Sequence, residues 1–259
     1  MAKSARDFSR ILLKLVGGMH QASERNHQQS YQLIRTLLGP LLQHCIPLQV
    51  NGLANVPLTG PVLLVANHRS LLDPFLIGAV IPRHIHFVAE SWFGAIPGLR
   101  RLSSKIGVII LPRSQRSQYL IELGKQQLAC QAMLGIFPEG AWPTLVPSPP
   151  GTVLPFQAGA AKLIVESGIV GLTVVPAGIT GQGEHVIASL PGWVFRYLEP
   201  WNPLYRRDRL EMRSYRSATL RFGQPHYFVV PTELAGERYQ QVIAAISERL
   251  RTAIMALLY

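Results

Sequence analysis

The 259-residue sequence is poor in charge, and poorest in negative charge. Only 15% of its residues are Asp, Glu, Lys or Arg, and 14 acidic residues stand against 25 basic ones, a formal net charge of +11. So low a charged fraction beside 48% hydrophobic residues excludes a disordered chain. Cysteine is scarce as well. The two present, Cys45 and Cys130, are far apart in largely apolar sequence, which excludes a disulfide scaffold and a cysteine metal motif and fits a reducing cytoplasm. No stretch reaches about 18 clean apolar residues, so a spanning helix is not expected. The nearest, Ala158 to Gly181, is interrupted by Lys162 and Glu166. Gly168, followed by Ile169, Val170, Val174 and Val175, divides it into a helix and then a strand. Ile11 to Met19 is short, broken by Lys14 and without a cleavage pattern, so no signal peptide is expected there.

What is present is a chain of the length that α/β domains commonly reach undivided, about 250 residues, with no visible repeat. Its basic excess points to an anionic partner: nucleic acid, a membrane surface or a phosphorylated substrate. Residues 1–46 differ from the rest. Phe8, Ile11, Leu12, Leu15 and Val16 recur at helical spacing among Arg6, Arg10 and Lys14, and a polar linker runs from Gln21 to Gln29. A second amphipathic stretch carries Tyr31, Ile34, Leu37, Leu38, Leu41 and Ile46, with a predicted break near Gly39-Pro40. This segment either docks on a bilayer surface or packs against the main core; the pattern fits both.

From Pro47 onward short apolar runs alternate with helical segments. Strands are predicted at Leu48–Asn51, Val62–Ala66, Ile85–Ala89, Val108–Leu111, Met133–Phe137, Leu172–Ala177 and Ala218–Phe222. Helices are predicted at Pro74–Ile81, Gln118–Cys130, Gly159–Ser167 and Glu233–Leu257. The alternation predicts an α/β fold, a layered mixed sheet flanked by helices, over residues 47–259, preceded by the amphipathic helical segment 1–46.

Chemistry gathers first at Asn67-His68-Arg69-Ser70-Leu71-Leu72-Asp73-Pro74. Asp73 reads as a helix N-cap with Pro74 at the first helical position, so His68 and Asp73 flank one strand-to-helix turn. A carboxylate on one imidazole nitrogen leaves the other available as a general base. Ser70 reads as a turn residue bonding its own backbone. No Gly-x-Ser-x-Gly elbow accompanies it, so no acyl-serine intermediate is expected. Further on, Lys105 to Arg113 reads as a strand ending in Pro112-Arg113, and an arginine there suits a phosphate. Phe137-Pro138-Glu139-Gly140 delivers a carboxylate into a glycine turn, and Val175-Pro176 closes another strand.

In this order the segments resemble the glycerolipid acyltransferase family, to which bacterial 1-acyl-glycerol-3-phosphate acyltransferases belong. The His-x4-Asp block matches His68 and Asp73. The glycine-to-arginine block matches Gly107 to Arg113, the Phe-Pro-Glu-Gly block matches Phe137 to Gly140, and the fourth matches Val175-Pro176. The resemblance runs from about Leu48 to Ile179. It implies a glycerolipid-acyltransferase-like fold and transfer of an acyl group from a thioester to a lysophospholipid hydroxyl, most simply 1-acyl-sn-glycerol-3-phosphate to phosphatidate. It implies His68 as base and Asp73 as its orienter, with direct attack by the acceptor. Arg113 is the implied phosphate ligand, Glu139 and Gly140 line the acceptor site, and Lys105 is a further substrate contact. No cofactor or metal is implied beyond the donor, acyl-CoA or acyl-carrier protein. The family context implies the cytoplasmic face of a membrane, in peripheral or monotopic association.

Two departures bear on the acceptor. Members using phosphorylated acceptors usually follow Glu-Gly with Thr-Arg-Ser, where this chain reads Ala141-Trp142-Pro143. Pro155-Phe156-Gln157-Ala158-Gly159 lacks the common lysine of the downstream Phe-x-x-Gly pattern. A neutral or amino-lipid acceptor, or a non-catalytic lipid-binding module, therefore remains as an alternative. Arg196, Arg206, Arg207, Arg209, Arg213 and Arg216, mixed with Tyr197, Trp201, Tyr205 and Tyr215, fit an anionic lipid interface, single-stranded nucleic acid or a solvated loop. With no nucleic-acid motif elsewhere, lipid is the expected partner and nucleic acid is not.

Overall fold

A computed structural model describes residues 26–95, 97–140, 142–146, 149, 151–198, 208–231 and 234–259. The central strand is β2 (Val62–Ala66), whose sequence VLLVA is buried at every position. Such an unbroken apolar run marks a strand covered on both faces. β2 pairs in parallel with β5 (Met133–Ile136) on one edge and β6 (Thr173–Gln182) on the other. Beyond β5 lie β3 (Ile85–Ala89) and the two-residue edge strand β4 (Ile109–Ile110), both parallel. Beyond β6 lies β9 (Ser217–Phe222), antiparallel to it, and then β1 (Leu48–Asn51), parallel to β9. The seven-stranded order is β1-β9-β6-β2-β5-β3-β4. A separate antiparallel ribbon joins β7 (His185–Pro191) to β8 (Arg209–Ser214).

Helices fill both faces. In chain order they are α1 (26–45), α2 (Asp73–Val80), α3 (Ser91–Ala95), α4 (Pro97–Lys105), α5 (Arg116–Ala129), α6 (Trp142–Leu145), α7 (Gly159–Glu166), α8 (Gly192–Leu198) and α9 (Gly236–Met255). Alternate sheet residues feed two cores. Leu63, Val65, Leu134, Ile136 and Val174 meet Leu163 of α7 and Ile243, Ile246, Leu250 and Ile254 of α9. Val62, Leu64, Ala66, Met133, Val175 and Ala177 face the other way onto Ile77 of α2. The expected mixed, layered sheet flanked by helices, with a helix before it, is the fold observed.

Several local expectations need correction. Helix α1 runs unbroken through Gly39-Pro40 and includes residues 26–29 of the expected linker. Both of its halves are tied down. Tyr31 Oη donates to Gly78 O and Ile81 O, and Arg35 Nε to Ala79 O, at 3.0–3.2 Å, while Ile46 is buried just past the end. The expected first helix, residues 8–16, lies outside the described residues. Strand β6 extends to Gln182, five residues beyond its predicted end at Ala177, because β9 pairs with it from Ala177 to Gln182. β4 is shorter than expected, having β3 as its partner on one edge. The segment Arg196–Arg216 is not simply a loop: part of it is α8 and part is β8, and 199–207 lie outside the described residues. Both cysteines are exposed. Among the described residues no helix is long and apolar enough to cross a membrane.

The cores set the expected cost of disruption. Leu250 of α9 is fully buried between α7 and the sheet. Leu250→Ala is expected to lower the unfolding free energy by about 2–5 kcal/mol, read from urea denaturation of purified protein.

Candidate active site

The turn leaving β2 is built around one carboxylate. Asp73 has no solvent exposure. Its Oδ2 accepts from the backbone N–H of Arg69 at 2.7 Å, from that of Ser70 at 2.8 Å and from His68 Nδ1 at 2.9 Å. Its Oδ1 accepts from Tyr215 Oη at 2.7 Å. Burying a carboxylate is unfavourable unless its lone pairs are met, and four donors meet them here. Asp73 is the first residue of α2 and not its N-cap, and its carboxylate reaches back to the turn. Because the carboxylate takes the Nδ1 proton, His68 Nε2 is the unprotonated nitrogen. The imidazole stacks on Phe137, centroids 4.1 Å apart, and is largely buried.

The turn is also fastened at its rim. Asn67 exchanges two hydrogen bonds with the Ile179 backbone of β6, at 2.9 and 2.7 Å. Arg69 grips Glu184, in the turn between β6 and β7, through Nε at 2.7 Å and Nη2 at 3.0 Å. Ser70 accepts from Leu72 N–H and donates to Arg213 O of β8 at 2.5 Å, so the expected local bond is joined by a distant one.

The Phe137–Gly140 turn arrives from β5 alongside. Glu139 is buried, and both its oxygens accept backbone bonds: Oε1 from His68 N–H at 2.9 Å, Oε2 from Leu154 N–H at 2.6 Å. Burial raises its pKa, and the two backbone donors, then His68 and Arg69, pull it back down. Gly140 has φ +70°, and a Cβ there would lie 2.5 Å from Gln157 Nε2, so the position needs glycine. Gln157 therefore sits directly against Gly140, with Glu90 nearby and paired to Arg116 at 2.7 Å.

His68 and Gly140 open on a cavity of about 250 Å³. Its walls are mainly apolar: Ile34 and Leu38 of α1, Phe75 of α2, Trp92 and Phe93 of α3, with Phe87 of β3 and Phe137 of the turn after β5. Of the residues predicted as site residues, His68 and Asp73 meet directly, Glu139 is bonded to the His68 backbone, and Gly140 lines the cavity. Arg113 and Lys105 stand further out. Leu111 and Ile106 line the cavity, while Arg113 and Lys105 beside them are exposed. Among the described residues no group of three or more His, Cys, Asp or Glu side chains is arranged to hold a metal ion.

Residues 47–180, just over half of the chain, match the Acyltransferase family. The chain belongs to that family. It is 29% identical over 179 residues to the 1-acyl-sn-glycerol-3-phosphate acyltransferase of Saccharomyces cerevisiae, covering 68% of this chain and 55% of that one. It is 34% identical over 110 residues to the Helicobacter pylori protein of the same name, covering 42% and 44%. The chain thus matches about half the length of each curated relative. The crystal structure of the Thermotoga maritima 1-acyl-sn-glycerophosphate acyltransferase PlsC aligns with a TM-score of 0.51 over 87% of this chain and 78% of that one, at 21% identity. At that identity the likeness is one of fold.

Sequence reading missed Tyr215, Glu184 and Arg213 as partners of this acyltransferase turn, because each lies more than a hundred residues from it. The hydrogen bonds of Glu139 yield a test. Glu139→Ala strands the buried His68 amide, at a cost of about 1–3 kcal/mol, and the half-buried Leu154 amide, at a lower one. It is expected to lower the melting temperature and loosen the His68 turn, whereas Glu139→Gln, keeping one acceptor, should lose less. Differential scanning calorimetry of the two variants checks the order.

Proposed function

We propose that this protein is an acyltransferase that moves a fatty acyl group from an acyl thioester to the hydroxyl of a lysophospholipid, with 1-acyl-sn-glycerol-3-phosphate as acceptor and phosphatidate as product. The observation that carries the reading is the 2.9 Å His68–Asp73 pair at the edge of an apolar cavity. His68 Nε2 takes the proton of the acceptor hydroxyl as its oxygen attacks the thioester carbonyl, forming the C–O bond. The tetrahedral intermediate collapses, the C–S bond breaks, and the departing thiolate takes the proton back from the imidazolium. Asp73 holds the ring and stabilises its charged form. Apolar walls suit an acyl chain, since each buried methylene is worth about 0.8 kcal/mol. Arg113, exposed past β4, is the proposed phosphate ligand; Lys105 is the proposed second contact, and Glu139 and Gly140 shape the acceptor side. The donor is acyl-CoA or acyl-carrier protein.

The proposed location is the cytoplasmic face of a membrane, in peripheral or monotopic association. Support comes from the outer side of α1, where Leu33, Leu37 and Leu41 are exposed, and from the +11 charge of the chain. One observation favours a second acceptor class, a neutral or amino lipid: the polar groups beside Gly140 are Gln157 and Glu90 rather than unpaired cations, and Ala141-Trp142-Pro143 follows the glycine.

Purified protein should be offered labelled acyl donor with lysophosphatidate, other lysolipids and neutral acceptors. Product from lysophosphatidate supports the first reading, and product from non-phosphorylated acceptors alone selects the second. His68→Ala and Asp73→Asn are each expected to cut kcat by about 10²–10⁴-fold with the fold retained. Substantial transfer by folded His68→Ala would remove the base. Arg113→Ala should raise the acceptor KM while sparing the donor KM, and the converse would cancel its assignment.

A further inference from the structure

The four donors to Asp73 differ in origin. Those on Oδ2 come from His68, Arg69 and Ser70, all within the turn, and so move with it. Tyr215 alone reaches Oδ1, from the turn between β8 and β9 and 142 residues further along the chain. It is therefore the bond that refers the carboxylate to the body of the sheet. We propose that Tyr215 is a positioning residue of the reaction: its phenol fixes the Asp73 carboxylate in the rotation that presents Oδ2 to His68, and tempers the hold of that carboxylate on the imidazole. The proposal rests on His68 being the base.

The setting suits the role. Tyr215 is 1% exposed and packs among Ile46, Leu76 and Ala218, so the ring has a fixed seat. Gly181 of β6 makes room for it. A Cβ at that position would fall 1.9 Å from the ring Cδ1, so the strand must run bare there. Burial first, then the charge of Asp73 and the bond to it, raise the phenol pKa well above its ordinary value. The hydroxyl is accordingly a permanent donor. The other charged groups acting on it are Glu184 and Arg69, which are paired with each other. A donor on Oδ1 withdraws electron density from the carboxylate. Without it the carboxylate is more basic and holds the imidazolium more tightly, so the unprotonated base forms at higher pH.

Tyr215→Phe keeps the ring and removes the bond. With acyl thioester and lysophospholipid acceptor, kcat is expected to fall about tenfold while both KM values stay within about twofold. The ascending limb of the kcat/KM pH profile is expected to move alkaline by roughly 0.5. Substrate ionisation is common to both enzymes and cancels in the comparison. Gly181→Ala, which keeps the hydroxyl but forces the ring, and with it the bond to Asp73, aside, should displace the limb in the same direction, and the double variant should displace it no further. Either single variant suffices to read the limb should the other fail to fold. An unmoved limb overturns the proposal whether or not kcat falls, for a fall alone is what lost packing would produce; so does a change confined to KM. His68→Ala run alongside separates the two levels. If it remains active, the base assignment itself fails, whereas an inactive His68→Ala beside a wild-type Tyr215→Phe sinks only the role of the tyrosine.

Discussion

A carboxylate without solvent contact sits at the point where chain segments far apart in sequence meet. Asp73 accepts four hydrogen bonds, and removing any donor would leave part of a buried negative charge unmet. That demand shapes what surrounds it. The Arg69 and Ser70 amides must turn inward, which bends the chain out of β2, and His68 is drawn over Phe137. Glu139 meets the same requirement from the other side. Its Oε1 accepts from His68 N–H, so the turns leaving β2 and β5 are joined by a hydrogen bond rather than by packing alone, and its Oε2 ties Leu154 in as well.

The sheet makes this meeting possible. β2 lies between β5 and β6 with parallel register, so the carboxyl ends of all three strands open on the same side, as ligand sites in open α/β sheets do. Asn67 tapes the first residue after β2 to β6, and the small β7–β8 ribbon reaches over to hold Arg69 and Ser70. Helix α1 lines one wall of the cavity, its inner side bonding the carbonyls of Gly78 and Ala79 while Leu33, Leu37 and Leu41 face outward. Part of the basic excess is spent inside the fold. Arg83 donates to the carbonyls of Pro57, Gly60 and Gln131, Arg221 to Leu257 and Arg251 to Val153. These arginines close loop ends, so the +11 of the chain overstates the charge directed at a partner.

Much of the parallel core was legible because its signal is local. β1, β2 and β3 have their predicted bounds, and α5, α7 and α9 lie within three residues of theirs, since uninterrupted apolar runs and three-to-four-residue stripes report burial directly. The His68–Asp73 contact was legible for the same reason, with both partners in one turn. What could not be read depends on distance in the chain. Leu210 and Met212 alternate with Arg209, Glu211 and Arg213, a half-buried strand pattern, but the arginine and aromatic residues mixed through the segment fit a lipid interface, nucleic acid or a solvated loop, and no strand is predicted there. Their burial is supplied by Trp92, Leu145 and Val146. At Gly39-Pro40 local chemistry forecast a break that tertiary anchoring on both sides of it overrides. Tyr215 carried no local signal at all, because its hydroxyl is defined only by what folds against it.

The long separations within the site also order its appearance on the ribosome. Asn67 waits for Ile179, 112 residues on; Arg69 for Glu184, 115 on; Asp73 for Tyr215, 142 on. A nascent chain emerging at about 5–20 residues per second can pair β2 with β5 early, yet it lacks the bond that seats Asp73 until Tyr215 has left the tunnel. Chains released short of Tyr215 would carry His68 and Asp73 without the bond that seats Asp73 on the sheet. Assembly of the site therefore waits on residues made long after the histidine itself.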